Sequence, residues 1–445
     1  MESGKLKVEN EMLSTANSQV STEKNVPKLR FGEFSDCWTP SSMKEISKIN
    51  QGLQIPISDR HTEPKEGRYF YITNEFLRPN STTKYYIENP SDRVVCEERD
   101  ILMTRTGNTG QVVTDIAGVF HNNFFKIDYS NDVDKHFLVE FLRLPSTEST
   151  ILKYAGTSTI PDLNHGDFYR LKLALPTIPE QQKIASFLSK VDEKIGLLSE
   201  KKAKLTEYKR GVMQQLFNGH WQQSTQEQDG QPTFTPPTLR FKADDGSEFP
   251  DWEEKTLIEL AAQGLSNGVF NDPKRIGKGY RLINVKDMYS GNFIDISTLT
   301  LLDLSEKEFS KSQVKYGDIF FTRSSLVPSG IAYSNVNLSN DDDVTYDGHL
   351  IKFSPKLNMI SPYYFANYLR GYSFRKAVIS RGKQSTMTTI GQEDIKDIRL
   401  FIPSLDEQTK IADLLIALDQ KIDFTSLELK KAKEWKKGLL QQMFV

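Results

Sequence analysis

Two long segments of the chain carry apolar residues at steps that alternate between four and three. In the first, Ile184, Leu188, Val191, Ile195, Leu198 and Leu205 mark the pattern; in the second, Ile411, Leu415, Leu418 and Ile422 repeat the first four at the same relative positions, and Leu429, opposite Lys202, continues the spacing. A mean period of about 3.5 belongs to a helix that presents a narrow seam to a partner helix, as in a left-handed coiled coil. Lys202 and Lys209 fill slots where the apolar pattern breaks. Pro179 suits a first helical turn, and Glu180 and Glu407 favour the positive end of a helix dipole. In the alternative, each helix packs into its own neighbouring module as ordinary core, which calls for a wider apolar face. Elsewhere the pattern shortens. Gly67–Ile72, Gly279–Ile283 and Asp318–Thr322 read as strands, and Lys135–Arg143 and Pro362–Arg370 as short helices.

The two long segments are copies. PTIPEQQKIASFLSKVDEKIGLL starts at Pro176 and PSLDEQTKIADLLIALDQKIDFT at Pro403, and the match runs without a gap to Phe217 and Phe444. Upstream in the same register, Arg143 falls on Arg370 and Ser158-Thr159 on Ser385-Thr386. Further back the register drifts, as insertions between related halves would cause. Leu29-Arg30-Phe31 and Trp38 recur as Leu239-Arg240-Phe241 and Trp252, and Asp100–Arg105 as Asp318–Arg323. Two copies make a duplication, not a solenoid. The expected layout is a flexible tail at 1–27, a module at 28–175 and a helix at 176–217. A linker at 218–238, a second module at 239–402 and a second helix at 403–445 follow. The linker, NGHWQQSTQEQDGQPTFTPPT, reads as too polar and too rich in Gly and Pro to bury a core. Chain direction then sends the second helix back alongside the first. The predicted class is α+β, with two globular domains separated by two long antiparallel coiled-coil helices in a pseudo-twofold internal repeat.

Of the 445 residues, 26% are charged and 37% hydrophobic, as in soluble globular proteins. No apolar run reaches the ~18 residues of a membrane span, and the first 26 residues lack the apolar core of a signal peptide. Cys37 and Cys96 therefore read as reduced thiols of a cytoplasmic protein, a disulfide being the other possibility. A net charge of −2 points to no polyanionic partner, so any such partner must be sought in local charge. Ser361–Gln392 contains no acid but holds Arg370, Arg375, Lys376, Arg381 and Lys383, together with Tyr363, Tyr364, Tyr368 and Tyr372. A polar loop in that run offers Gln384, Ser385 and Thr386, and Lys274, Arg275, Lys278 and Arg281 form a second basic cluster. Such groups neutralise phosphates and read base edges, although a solvated surface face is the plainer reading of each. Two loops follow the matched strands. One holds Arg105, Thr106, Asn108 and Thr109 among glycines, and the other Arg323, Ser324 and Ser325. Either serves a nucleic-acid groove or is a simple turn between strands.

Catalytic signatures are lacking. No Gly-rich strand-to-helix loop for a nucleotide or methyl donor occurs, and the histidines and cysteines sit too far apart for zinc-ligand spacing. Asn89-Pro90-Ser91-Asp92 reads as a turn and Asp341-Asp342-Asp343 as a solvated loop.

With the paired helix openings, the Leu-Arg-Phe starts, the Asp-Ile strands and the Ser-Thr loops in view, the chain resembles the specificity subunit of a Type I restriction–modification system. The resemblance covers Leu29 to Phe444. It implies two target-recognition domains, each reading one half of a bipartite double-stranded DNA site, with the helices setting the spacer. It implies docking of two methyltransferase subunits and two ATP-driven restriction subunits, with no membrane involved. S-adenosylmethionine, ATP and Mg are then expected in the partners and no cofactor on this chain, which would be non-catalytic. Carried over by position, the DNA contacts fall on the two strand-end loops, on Thr157, Ser158 and Thr159, and on Lys383, Gln384, Ser385 and Thr386. The basic residues Lys274, Arg275, Lys278 and Arg381 join them. Rival readings are a DNA methyltransferase in its own right, the specificity subunit of a fused nuclease–methyltransferase system, and a coiled-coil scaffold that never touches DNA.

Overall fold

The computed structural model describes residues 25–78, 80–156, 159–222, 233–384 and 386–445. Most of the expected tail, Thr157, Ser158, Ser385 and the middle of the linker lie outside them. The chain divides into two compact units, the first ending at Leu198 and taking in Glu428–Val445, the second spanning Ser199–Leu427. The division falls within two helices, α1 (Ile178–Leu216) and α2 (Leu405–Met443), of 39 residues each. At 1.5 Å per residue each is about 58 Å long.

In the first unit an antiparallel sheet sets Ser47–Gln51, Phe124–Tyr129, Ile101–Thr104 and Val112–Val113 side by side. A second, mixed sheet joins Tyr86–Glu88, Arg68–Ile72, Gly118–Phe120 and Val95–Cys96. Ile101–Thr104 is buried at every position. Its alternate residues serve different cores: Ile101 and Met103 face Phe137 and Leu138, while Leu102 packs with Phe120 and Phe124. The second unit repeats the plan with Ser266–Asn267, Leu350–Phe353, Ile319–Thr322 and Ser334–Val336. There Ile319 and Phe321 enter one core and Phe320 another.

The repeated helix opening ties each helix to its module. Glu180 is 1% exposed, and Arg30 donates to both of its oxygens at 2.7 Å while the Trp38 indole donates at 3.2 Å. Glu407 is fully buried, with Arg240 at 3.0 and 2.7 Å and Trp252 at 3.3 Å. Both arginines are held charged first of all by that hydrogen bond to the glutamate. The next residue closes the joint. Gln181 accepts from the Asp134 N–H and donates to the Pro176 and Asp132 carbonyls; Gln408 accepts from Ser361 and donates to Pro403 and Met359.

Within the first unit the start of α1 lies against the end of α2, and within the second the end of α1 lies against the start of α2. The two helices therefore run in opposite directions. The seam is not uniform. Ile184, Leu188 and Val191 enter the first unit's core with Phe137, Leu439 and Met443; Ile411 and Leu415 enter the second's with Val212, Leu216 and Tyr364. In those first turns the helices do serve as module core. Leu418 is buried too, whereas Ile195, Leu198, Leu205, Ile422 and Leu429 are half-buried, which leaves a narrow stripe along the middle. Of the two lysines that interrupt the stripe, Lys209 meets a carboxylate. Lys209 Nζ sits 2.5 Å from Asp419, which also accepts from the Tyr363 hydroxyl, and Lys436, its repeat equivalent, sits 2.6 Å from Asp192.

The linker departs from its compositional reading. His220–Gln222 pairs antiparallel with Thr233–Thr235, and the Phe234 ring stacks on Phe401 with centroids 3.6 Å apart. One aromatic residue anchors a segment whose average polarity suggested none.

Candidate nucleic-acid interface

Both loops after the central strands are built on one backbone frame. In the first unit the Arg105 N–H donates to the Asn123 carbonyl at 2.7 Å, and the Arg105 carbonyl accepts from Leu163 at 2.8 Å. In the second, Arg323 donates to His349 at 2.9 Å and accepts from Ile390 at 2.9 Å. The first loop turns tightly. Gly107 has φ +90°, and a Cβ there would stand 2.7 Å from the Asn74 amide nitrogen.

The side chains differ. Arg105 is engaged by Asp162, with Nε at 3.1 Å and Nη2 at 2.7 Å, and the Thr106 hydroxyl donates to the same carboxylate. The hydrogen bond from Arg105, with a smaller one from Thr106, holds the Asp162 carboxyl below the usual range. Thr109 is buried, and its hydroxyl donates to the Pro161 carbonyl at 2.7 Å. Asn108 and Thr159 are exposed. Arg323 is exposed and has no carboxylate partner among the described residues.

A small sheet in the second unit gathers the other candidates. Ser324 and Ser325 pair with Thr389 and Thr388, which pair in turn with Lys383 and Gln384. A cleft of about 490 Å³ opens there between Arg323, Ser324, His349, Lys383 and Asp394. Gln384 and Thr386 are exposed beside it.

On folding, carboxylates from just beyond the acid-free run turn back onto it. Lys383 lies 2.9 Å from Asp394 and Arg381 lies 2.5 Å from Asp397. Arg370 and Arg375 are structural. Burial, the first cause, lowers the pKa of each, and they donate to the Ser334 carbonyl at 2.9 Å and the Ile331 carbonyl at 2.6 Å. Tyr363 and Tyr364 belong to the core. The second basic cluster is likewise paired: Arg275 with Glu308, Lys278 with Asp303, and Arg281 with Asp341 and Asp343. Arg275, ahead of the Ser305 N–H, holds the Glu308 carboxyl down at about 2. Asp341 and Asp343 are thus ion-pair partners and not a free acidic loop. Of that cluster only Lys274 stands exposed with no carboxylate partner among the described residues.

Asp162, His349 and Asp347 escaped the reading of the sequence. The gapless register that aligns the Ser-Thr loops also sets Asp162 opposite Thr389, and that was the available signal for the first of them. Among the described residues no helix is long and apolar enough to cross a membrane.

A family model for the Type I restriction modification DNA specificity domain matches residues 36–207 and again 250–434. The chain belongs to that family, as a specificity subunit with two DNA target-recognition domains. It is 22% identical to the Type I restriction enzyme MjaVIII specificity subunit of Methanocaldococcus jannaschii, over 85% of each chain. It is also 22% identical to the EcoBI specificity subunit of Escherichia coli, over 90% of this chain and 82% of that one. The fold is shared with the Type I restriction–modification S subunit from M. genitalium, at a TM-score of 0.54 and 17% identity, covering 94% of this chain and 99% of the other.

Proposed function

We propose that each domain reads one half of a bipartite double-stranded DNA site through the loop that follows its central strand, while the paired helices set the gap and dock two methyltransferase subunits. Two ATP-driven restriction subunits complete the assembly. S-adenosylmethionine, ATP and Mg act in those partners, and the chain itself is non-catalytic and works in the cytoplasm. The observation that carries this is the duplicated frame: an arginine at the end of a fully buried strand, fixed on both sides by backbone hydrogen bonds, on each half of the chain. A rigid strand end suits base reading, because contacts to base edges demand fixed geometry. Co-expression with the methyltransferase partner, followed by genome-wide mapping of methylated adenine, tests it. A two-part motif with a constant unread gap is expected, and an uninterrupted motif or none overturns the reading. The purified chain alone is expected to transfer no labelled methyl group to DNA.

A further inference from the structure

We infer that His349 reads a base in the half-site of the second domain with a preference that changes when the ring gains a proton, and that Asp347 positions it; this rests on the recognition reading above. The turn that carries both residues is pinned. The Asp347 N–H donates to Ile283 at 3.0 Å, the Gly348 N–H to Val269 at 2.7 Å and the Leu350 N–H to Asp347 at 2.9 Å. Gly268 lets the neighbouring backbone pass, since a Cβ there would stand 2.0 Å from the Tyr346 carbonyl oxygen. The Asp347 side chain is 5% exposed, and its Oδ1 lies 2.7 Å from both the His349 N–H and the imidazole Nδ1. The imidazole itself is 65% exposed, on the lip of the cleft.

With Nδ1 committed as a donor to the carboxylate, proton exchange is left to Nε2. An unprotonated Nε2 accepts, which suits the exocyclic amines of adenine and cytosine; a protonated one donates, which suits guanine N7 and O6 or a phosphate. Histidine is the side chain that ordinarily changes charge between about pH 5 and 8. The charged groups around it are Asp347 beneath, Arg323 and Lys383 beside it, and Asp394, which is paired with Lys383. Arg323 and Lys383 can only donate, so the imidazole supplies an acceptor that they lack. The first domain differs at this place in the frame. Asn123 stands where His349 does, with its N–H donated to the His121 ring at 3.1 Å. An amide does not titrate, and burial, the first cause, lowers the pKa of the two rings near that frame, His121 and His165, so the proton-dependent contact is argued for the second half-site alone.

The test uses the full-length chain and a pool of random DNA duplexes, selected and sequenced at about pH 6 and about pH 8. At one position of one half-site, guanine is expected to gain over adenine or cytosine at the lower pH, by roughly five- to a hundredfold. His349→Gln abolishes that change, Asp347→Asn reduces it while keeping an oxygen acceptor for the ring, and the other half-site stays as it was. Thermal melting confirms that both variants fold. Enrichment by the wild type with the same base preference at both pH values, or an unchanged shift in His349→Gln, overturns this contact alone. A wild-type chain that enriches no sequence overturns the recognition reading and this contact with it.

Discussion

In the first domain the Arg105 guanidinium is engaged by Asp162, whose carboxylate also accepts from Thr106. In the second, Thr389 stands at the corresponding place in the sheet and Arg323 is left to solvent. The backbone frames are alike, so the duplication conserved a position for an arginine and left its electrostatic state open. To meet a phosphate, Arg105 must give up a carboxylate that then remains near the DNA, whereas Arg323 has no carboxylate to give up among the described residues. The first loop gains orientation from its latch, and the second gains attraction.

The largest expected effect lies where the two units agree. Arg30→Ala leaves Glu180 buried with only the Trp38 indole, and Arg240→Ala does the same to Glu407. Stranding a buried carboxylate costs about 3–5 kcal/mol, so both variants should lower the urea midpoint by similar amounts. A loss below about 1 kcal/mol in one of them, the range of an exposed pair, would end the equivalence of the two joints.

The interhelix lysines should behave alike. Lys209 faces Asp419, 9% exposed, while Lys436 faces both Asp192, 44% exposed, and Glu140, 10% exposed. Removing either lysine leaves a buried carboxylate without its cation, so Lys209→Ala and Lys436→Ala are each expected to cost about 3 kcal/mol, read by equilibrium unfolding. A loss below about 1 kcal/mol in Lys436→Ala would mean that the exposed Asp192, and not Glu140, is the partner that counts there.

Exchanging the latch tests the contrast itself. Asp162→Thr frees Arg105 and should steepen the salt dependence of DNA binding by about one ion. Thr389→Asp should bring Arg323 into the state of Arg105 and flatten the dependence by a similar amount, as measured by fluorescence anisotropy across a salt series. If neither slope moves, the two arginines do not face phosphate.

Much of this plan was legible because it repeats. The seam, the helix openings and the strands at Ile101 and Ile319 showed in apolar spacing and in self-similarity, both of which survive insertion between copies. The joint was half legible: Glu180-Gln181 and Leu29-Arg30-Phe31 stood out as repeated words, but their meeting as a buried ion pair depends on a contact across 150 residues. The pairing of the basic clusters was illegible for the same reason, since Glu308, Asp341 and Asp394 find their partners only in three dimensions. The linker misled because composition averages away a single residue such as Phe234.

The smallest effects concern acid, and the domains should differ in sign. Asp162 is depressed chiefly by Arg105, so its contribution to stability is present above the unfolded carboxylate value of about 3.9 and is lost as pH falls through the folded value. Its side chain is 45% exposed, so solvent screening keeps the effect small. Asp318 is raised, chiefly by burial, against the pull of Lys352, Ser354 and the Lys315 N–H. The folded second unit therefore binds that proton more tightly than the unfolded chain does. Its contribution is complete below the unfolded value and disappears as pH rises through the folded one. Asp162→Asn should make unfolding of the first unit less sensitive to acid, and Asp318→Asn should flatten the fall in stability of the second as pH rises from about 4. Urea midpoints across that range, read with a tryptophan probe in each unit, decide it: shifts of the same sign would show that the burial of Asp318 is offset by its cation and donors.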